Sequence, residues 1–184
     1  MFIGCGKSGS QDQNNSANQT PSSQAPASTP APEKGAAAAV NAIDYHKLQS
    51  FLPDIDGYQK GAPEGANLSM GGMTYSESEA KYTNGNASIK VTIFDYAGMP
   101  DMLAPYKMKF SFENDEGYTK SVDWNGYSGW ETWEKKNNTA NAAAIVSNRV
   151  AVVLEGEQQN DASTVHGIVN KIDLKGIAAL CGNN

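Results

Sequence analysis

The sequence predicts an α+β fold: an antiparallel sheet built from hairpins, packed against N- and C-terminal helices, with a disordered N-terminal tether. Three observations carry this. Asn84-Gly85 and Asn125-Gly126 each separate segments of alternating apolar residues, the signature of two-residue hairpins. Apolar residues recur at helical spacing near both ends of the region able to form a core. From Gly6 to Gly35 no large apolar residue occurs, so that stretch cannot join the core. Tight hairpins do not connect parallel strands, which excludes a doubly wound sheet.

Residues 1–39 therefore read as a truncated lipobox followed by a Ser/Gln/Pro/Ala-rich linker, and residues 40–184 as a single α+β domain. The first helix is expected over residues 38–52, where Val40, Ile43, Leu48 and Phe51 approximate one face and Pro53 closes it. Residues 58–70 contain Pro63 and Gly65 and read as an irregular edge strand. Met73 to Thr83 and the alternating Ile89, Val91 and Ile93 form the first hairpin. Over residues 99–113 two patterns compete. Met108, Phe110 and Phe112 alternate like a strand, whereas Met102, Leu103, Tyr106 and Phe110 fall at helical spacing behind Pro100, and a helix is the reading adopted.

Gly117–Trp124 and Trp130–Glu134 make a second hairpin, and Ala143–Val146 with Val150–Leu154 a third, turning at Ser147-Asn148. A last helix, capped by Ser163, places Val165, Ile168, Val169 and Ile172 at i, i+3, i+4 and i+7, and a short turn with Leu174, Ile177 and Leu180 follows.

Composition bounds function. Among 184 residues, 14 basic against 20 acidic side chains give a net charge of -6, which leaves no basic surface for phosphate backbones and argues against nucleic-acid binding. Lys7 and Lys34 cancel Asp12 and Glu33, so the tail is a neutral tether, with a root-mean-square span on the order of 30 Å if it is a flexible coil. No apolar run reaches the roughly 20 residues of a membrane-spanning helix.

The first residues, Met1-Phe2-Ile3-Gly4-Cys5, put a cysteine after apolar and small residues and before the polar tether. This resembles the lipobox of bacterial lipoproteins. The resemblance implies cleavage before Cys5, a diacylglycerol on its sulfur and a fatty acid such as palmitate on its amino group. Met1 then reads as an internal start, the signal peptide lying upstream. Three acyl chains, at about 0.8 kcal/mol per buried methylene, make a lasting anchor. Gly6 after the cysteine, where the family's inner-membrane members carry Asp, implies the outer membrane, with the domain facing the periplasm. The five sequons starting at Asn14, Asn18, Asn67, Asn86 and Asn137 are discounted in an Asn-rich chain.

The segments LPDIDGYQKG, MGGMTYSESEAKYTNGNASIKVTIFDYAG and NRVAVVLEG, with the terminal IDLKGIAAL, together resemble small uncharacterised bacterial lipoproteins whose architecture is similar to the PsbP-like sandwich of extrinsic photosystem subunits and small adaptor proteins. The resemblance brings no catalytic residues and implies a non-enzymatic binding or accessory role.

The residues themselves give little chemistry. His46 reads as a solvated histidine on the first helix and His166 as a helix-packing one, neither with a recognisable catalytic partner. Asp54 and Asp56, and Glu113, Asp115 and Glu116, are too closely spaced for a calcium loop and read as acidic turns. Cys5 and Cys181 are the two cysteines, and if Cys5 is lipidated no disulfide staple remains. No metal or cofactor is expected. Arg149, the single arginine, is expected to bond turn carbonyls, with anion binding as the alternative.

Trp124, Tyr127, Trp130 and Trp133 gather all three tryptophans on one hairpin and are the candidate ligand-binding residues. Stacked on one face they would hold sugar rings or a partner's apolar side chains. In a strand, Trp130 and Trp133 face opposite sides, so at least one belongs to the core. The expected function is a lipid-anchored envelope accessory or binding protein without catalytic activity, engaging an envelope protein or glycan. The alternatives are a structural lipoprotein without a ligand and an unrecognised envelope hydrolase.

Overall fold

In the computed structural model, residues 40–182 except 72 and 98 are described; the expected tether and Cys5 lie outside them. The elements are α1 (Tyr45–Gln49), β1 (Gln59–Lys60), β2 (Glu64–Met70), β3 (Met73–Asn84), β4 (Ala87–Asp95), a 3-10 turn (Pro100–Leu103) running into α2 (Ala104–Lys107), β5 (Ser111–Asn114), β6 (Gly117–Trp124), β7 (Tyr127–Glu134), β8 (Thr139–Val146), β9 (Val150–Glu157), α3 (Ser163–Lys171) and α4 (Leu174–Gly182).

Among the described residues the nine strands form one antiparallel sheet in the order β1-β3-β4-β9-β8-β7-β6-β5, with β2 pairing β3 beside β1. The α+β sheet of hairpins with flanking helices is thus present. β1 and β2 lie on one edge and β5 forms the other. The two edges are built from the segments poorest in buried residues: all seven positions of β2 and all four of β5 are exposed. β8 and β9 lie centrally and read as near-continuous apolar runs because they are covered on both faces.

One face carries the main core. Ile89, Val91 and Ile93 of β4 and Val152 and Leu154 of β9 meet Leu48 of α1, Val165, Ile168 and Val169 of α3 and Ile177 of α4. Among the described residues the opposite face carries no long helix. There the turn and α2 place Leu103 on Ile145 and Ala151, flanked by Phe94, Tyr96 and Tyr106.

Several expectations are corrected. Of the helix expected over residues 38–52, the described residues form only Tyr45–Gln49, residues 38 and 39 lying outside them. Residues 40–43 are tied to the sheet instead: Thr74 and Ser76 of β3 donate through their hydroxyls to the carbonyls of Val40 and Ile43, at 2.6 Å each. Asp44 then caps α1 by accepting from the His46 amide at 2.9 Å. These side-chain bonds give the Val40 and Ile43 carbonyls partners outside a helix.

The helix expected over 99–113 is confined to the turn and α2, and Met108 is already extended. Both competing patterns were real, one for each half of the segment. Residues 64–70 form a regular strand paired with β3 down to Met70↔Met73. At the first hairpin Asn84 pairs with Ala87, so the turn is Gly85-Asn86, with Gly85 at φ +58°. Asp161, not Ser163, supplies the oxygen at the start of α3, accepting from the Ser163 amide at 2.8 Å.

Candidate functional site

The four aromatic residues of the β6-β7 hairpin do not share a face. β7 alternates, so Tyr127, Glu131 and Trp133 point to the helix-covered side while Trp130 points to the opposite side. Trp124 is 1% exposed and Trp133 8%, both within the main core. The Trp124 indole donates to the Ala143 carbonyl at 2.9 Å across the space left by Gly129, where a Cβ would stand 1.9 Å from that oxygen and 2.7 Å from the indole nitrogen. Tyr127 packs, half-buried, on the same core. Trp130, also half-buried, stacks on Tyr106 of α2 with centroids 6.4 Å apart and planes 7° apart.

Trp130 therefore belongs to the open face of the sheet. Cross-strand register carries that face onward through Thr132, Asn141, Glu155, Lys90 and Lys81. A basin of about 420 Å³ lies there, with Lys90 pairing Glu155 at 2.6 Å and Ser88 bonding Glu157 at 3.1 Å. A second aromatic row, Tyr75, Phe94 and Tyr96, lies on the same face with centroid separations of 5.6–6.2 Å. Rings, hydroxyls, an amide and paired charges on one face suit a ligand that is apolar on one surface and polar at its rim.

On the helix-covered side the structure assembles a group that the sequence does not announce. Glu131 is buried between Gly129 and Trp133, and its carboxylate accepts from the Tyr118 hydroxyl at 2.7 Å and from the His166 Nδ1–H at 2.7 Å, with the Lys120 ammonium at 3.3 Å. His166 thus has a partner after all, 35 residues away in sequence. The readable signal was alternation: if Trp133 faces the core, so does Glu131, and a carboxylate there needs donors. Burial pushes the Glu131 carboxyl upward, but the Tyr118 and His166 hydrogen bonds and the Lys120 charge outweigh it, and its pKa lies below the ordinary value of 4.5. Tyr118 is correspondingly pushed up, by burial first and then by Glu131.

A cleft of about 370 Å³ opens beside His166, bordered by Asp161 and Ser163. Its hydroxyls are already committed: Ser163 Oγ donates to Asp161 at 2.5 Å and Tyr118 to Glu131. Among the described residues no serine, threonine or cysteine side chain bonds His166, so the arrangement lacks a positioned nucleophile. Its bonds join α3 to β6 and β7. Among the described residues no cluster of metal-ligating side chains occurs. Arg149 bonds one main-chain carbonyl, that of Asn41, but its chief partner is Asp95.

Replacing Glu131 by glutamine is expected to cost about 1–3 kcal/mol at neutral pH, the value of hydrogen bonds to a charged, buried acceptor. Because the folded pKa lies below the unfolded one, this carboxylate stabilises the fold above the unfolded value and loses that contribution as pH falls through the folded value. The stability gap between wild type and Glu131→Gln should therefore narrow in acid melts below about pH 4.5. A gap independent of pH would show that the charge contributes nothing.

No protein-family model matches the chain, and no curated protein matches it. Among solved structures, the chain is similar to an uncharacterised protein of Mycobacterium smegmatis, the Rv0999 ortholog, at 11% identity and a TM-score of 0.39, over 78% of this chain and 100% of that one.

Proposed function

We propose that this chain is a non-catalytic binding or accessory module, a PsbP-like lipoprotein tethered by a lipid on Cys5 to the bacterial outer membrane and facing the periplasm, which holds an envelope protein or glycan on the face of its sheet opposite α1, α3 and α4. One observation supports the binding role above the rest: among the described residues long helices cover only one face, and the other carries both the parallel aromatic pair of Trp130 and Tyr106 and a polar basin. The lipobox-like Met1–Cys5 and the neutral linker supply the anchoring half of the reading.

Two measurements test it. Fatty-acid labelling of the product of the complete reading frame should mark the wild type and not Cys5→Ser; equal absence of label in both would remove the anchor. Trp130→Ala should weaken binding to the cognate envelope protein or cell-wall glycan about tenfold while costing about 1 kcal/mol or less of stability, since Trp130 lies outside the main core. Unchanged affinity for every such partner would end the assignment of that face.

A further inference from the structure

We propose that the β5 edge, unpaired among the described residues, is the interface of a symmetric homodimer, two copies pairing β5 with β5 in antiparallel register centred on Ser111. Three features of the segment Lys107–Glu116 converge on a second copy of this chain.

The first is backbone direction. The Ser121 amide donates to the Phe110 carbonyl at 2.9 Å, and Phe112 and Asn114 pair opposite Thr119 and Gly117. By alternation, Phe110, Phe112 and Asn114 direct their backbone groups at β6, and Lys109, Ser111 and Glu113 direct theirs at the free edge. Antiparallel pairing about Ser111 sets Ser111 against its own copy and Lys109 against Glu113, so every outward group of these three residues meets another.

The second is charge. That register faces each Lys109 with a Glu113 across the interface, twice. Among the described residues neither of these side chains forms an ion pair within the protomer. A parallel pairing would set lysine on lysine and glutamate on glutamate. An isologous contact must be complementary to itself, and the run Lys-Phe-Ser-Phe-Glu from Lys109 to Glu113 has that property.

The third is apolar exposure. Met108, Phe110 and Phe112 are 65%, 39% and 62% exposed on this edge. The same register makes Phe110 and Phe112 of opposite copies directly facing pairs of the non-hydrogen-bonded kind, in which side chains approach most closely. An unpaired edge carrying large apolar residues is a pairing surface, and its lysines do not guard it against a copy that presents glutamates to them.

The test is sedimentation equilibrium of the full chain with a thiol reductant present, so that cysteines cannot link the copies. The wild type should show concentration-dependent dimerisation toward twice 19.6 kDa. Lys109→Glu and Glu113→Lys should each weaken dimerisation about tenfold or more by creating like-charge pairs across the axis. An equimolar mixture of the two single variants should form the heterodimer, and the double variant should dimerise again, because each restores opposite charges in this register and no other contact explains both. Circular dichroism melts identify any variant that fails to fold, and the mixing experiment uses only folded protein. A monomer at every concentration, or a dimer indifferent to both charge reversals, would overturn the proposal.

Discussion

Arg149→Ala is expected to lower the unfolding free energy by about 3–5 kcal/mol, which for a domain of this size is a fall in melting temperature on the order of 10–20 °C. Arg149 Nε and Nη2 donate to the two oxygens of Asp95 at 2.7 Å each, a bidentate pair in which the Asp95 side chain is fully buried. Nη2 also reaches the Asn41 carbonyl at 2.6 Å, and Asp95 accepts from the Ile43 amide at 2.6 Å. Removing the guanidinium leaves a carboxylate buried with one main-chain donor, and that uncompensated charge is the source of the large effect. Replacing both partners, as Arg149→Met with Asp95→Leu, should recover much of the loss but not all, because the Ile43 amide would then be unsatisfied. The double-mutant cycle is thus expected to be strongly non-additive. A melting temperature within a few degrees of wild type for Arg149→Ala would mean that water reaches Asp95 and the pair is not the clamp its geometry describes.

The same cluster explains which parts of the fold are legible in the chain. Hairpins were readable because their cause is local. Ile89, Val91 and Ile93 repeat every second residue, Asn125 and Gly126 take positive φ at the turn, and Ser147 and Asn148 do so where β8 meets β9. Helix α3 was readable for the same reason, its apolar residues falling on one stripe. The conformation of residues 40–43 was not readable, because it is imposed from afar: Arg149 reaches Asn41 across 108 positions, and Ser76 reaches Ile43 across 33. No window of 15 residues contains that information.

The candidate site divides along the same line. That Trp130 and Trp133 would face opposite sides follows from the strand period alone. That Tyr106 would stack on Trp130 depends on α2 crossing the sheet, which local spacing does not specify. Likewise, alternation places Glu131 inward, but His166 arrives on a helix whose docking is a tertiary event.

The contrast between Trp124 and Trp130 yields the second large effect. Trp124→Ala is expected to destabilise the domain by about 3–5 kcal/mol, whereas Trp130→Ala costs about 1 kcal/mol or less. The Trp124 ring is wedged between the sheet and α3, with its centroid 4.8 Å from that of His166, and its indole bonds Ala143 at 2.9 Å. Its removal opens a cavity, withdraws a donor from a buried carbonyl and loosens the helix that His166 clasps to Glu131. The surroundings cannot collapse into the space easily, because Gly129 beneath the ring has no side chain to fill it. Trp124→Phe should cost less, about 1–3 kcal/mol, since most of the packing survives and the hydrogen bond does not. Urea unfolding distinguishes the cases: the midpoint should fall steeply for Trp124→Ala with little change in slope, and hardly at all for Trp130→Ala. If the two substitutions cost the same, the contrast between a core Trp124 and an open-face Trp130 would not govern their energetics.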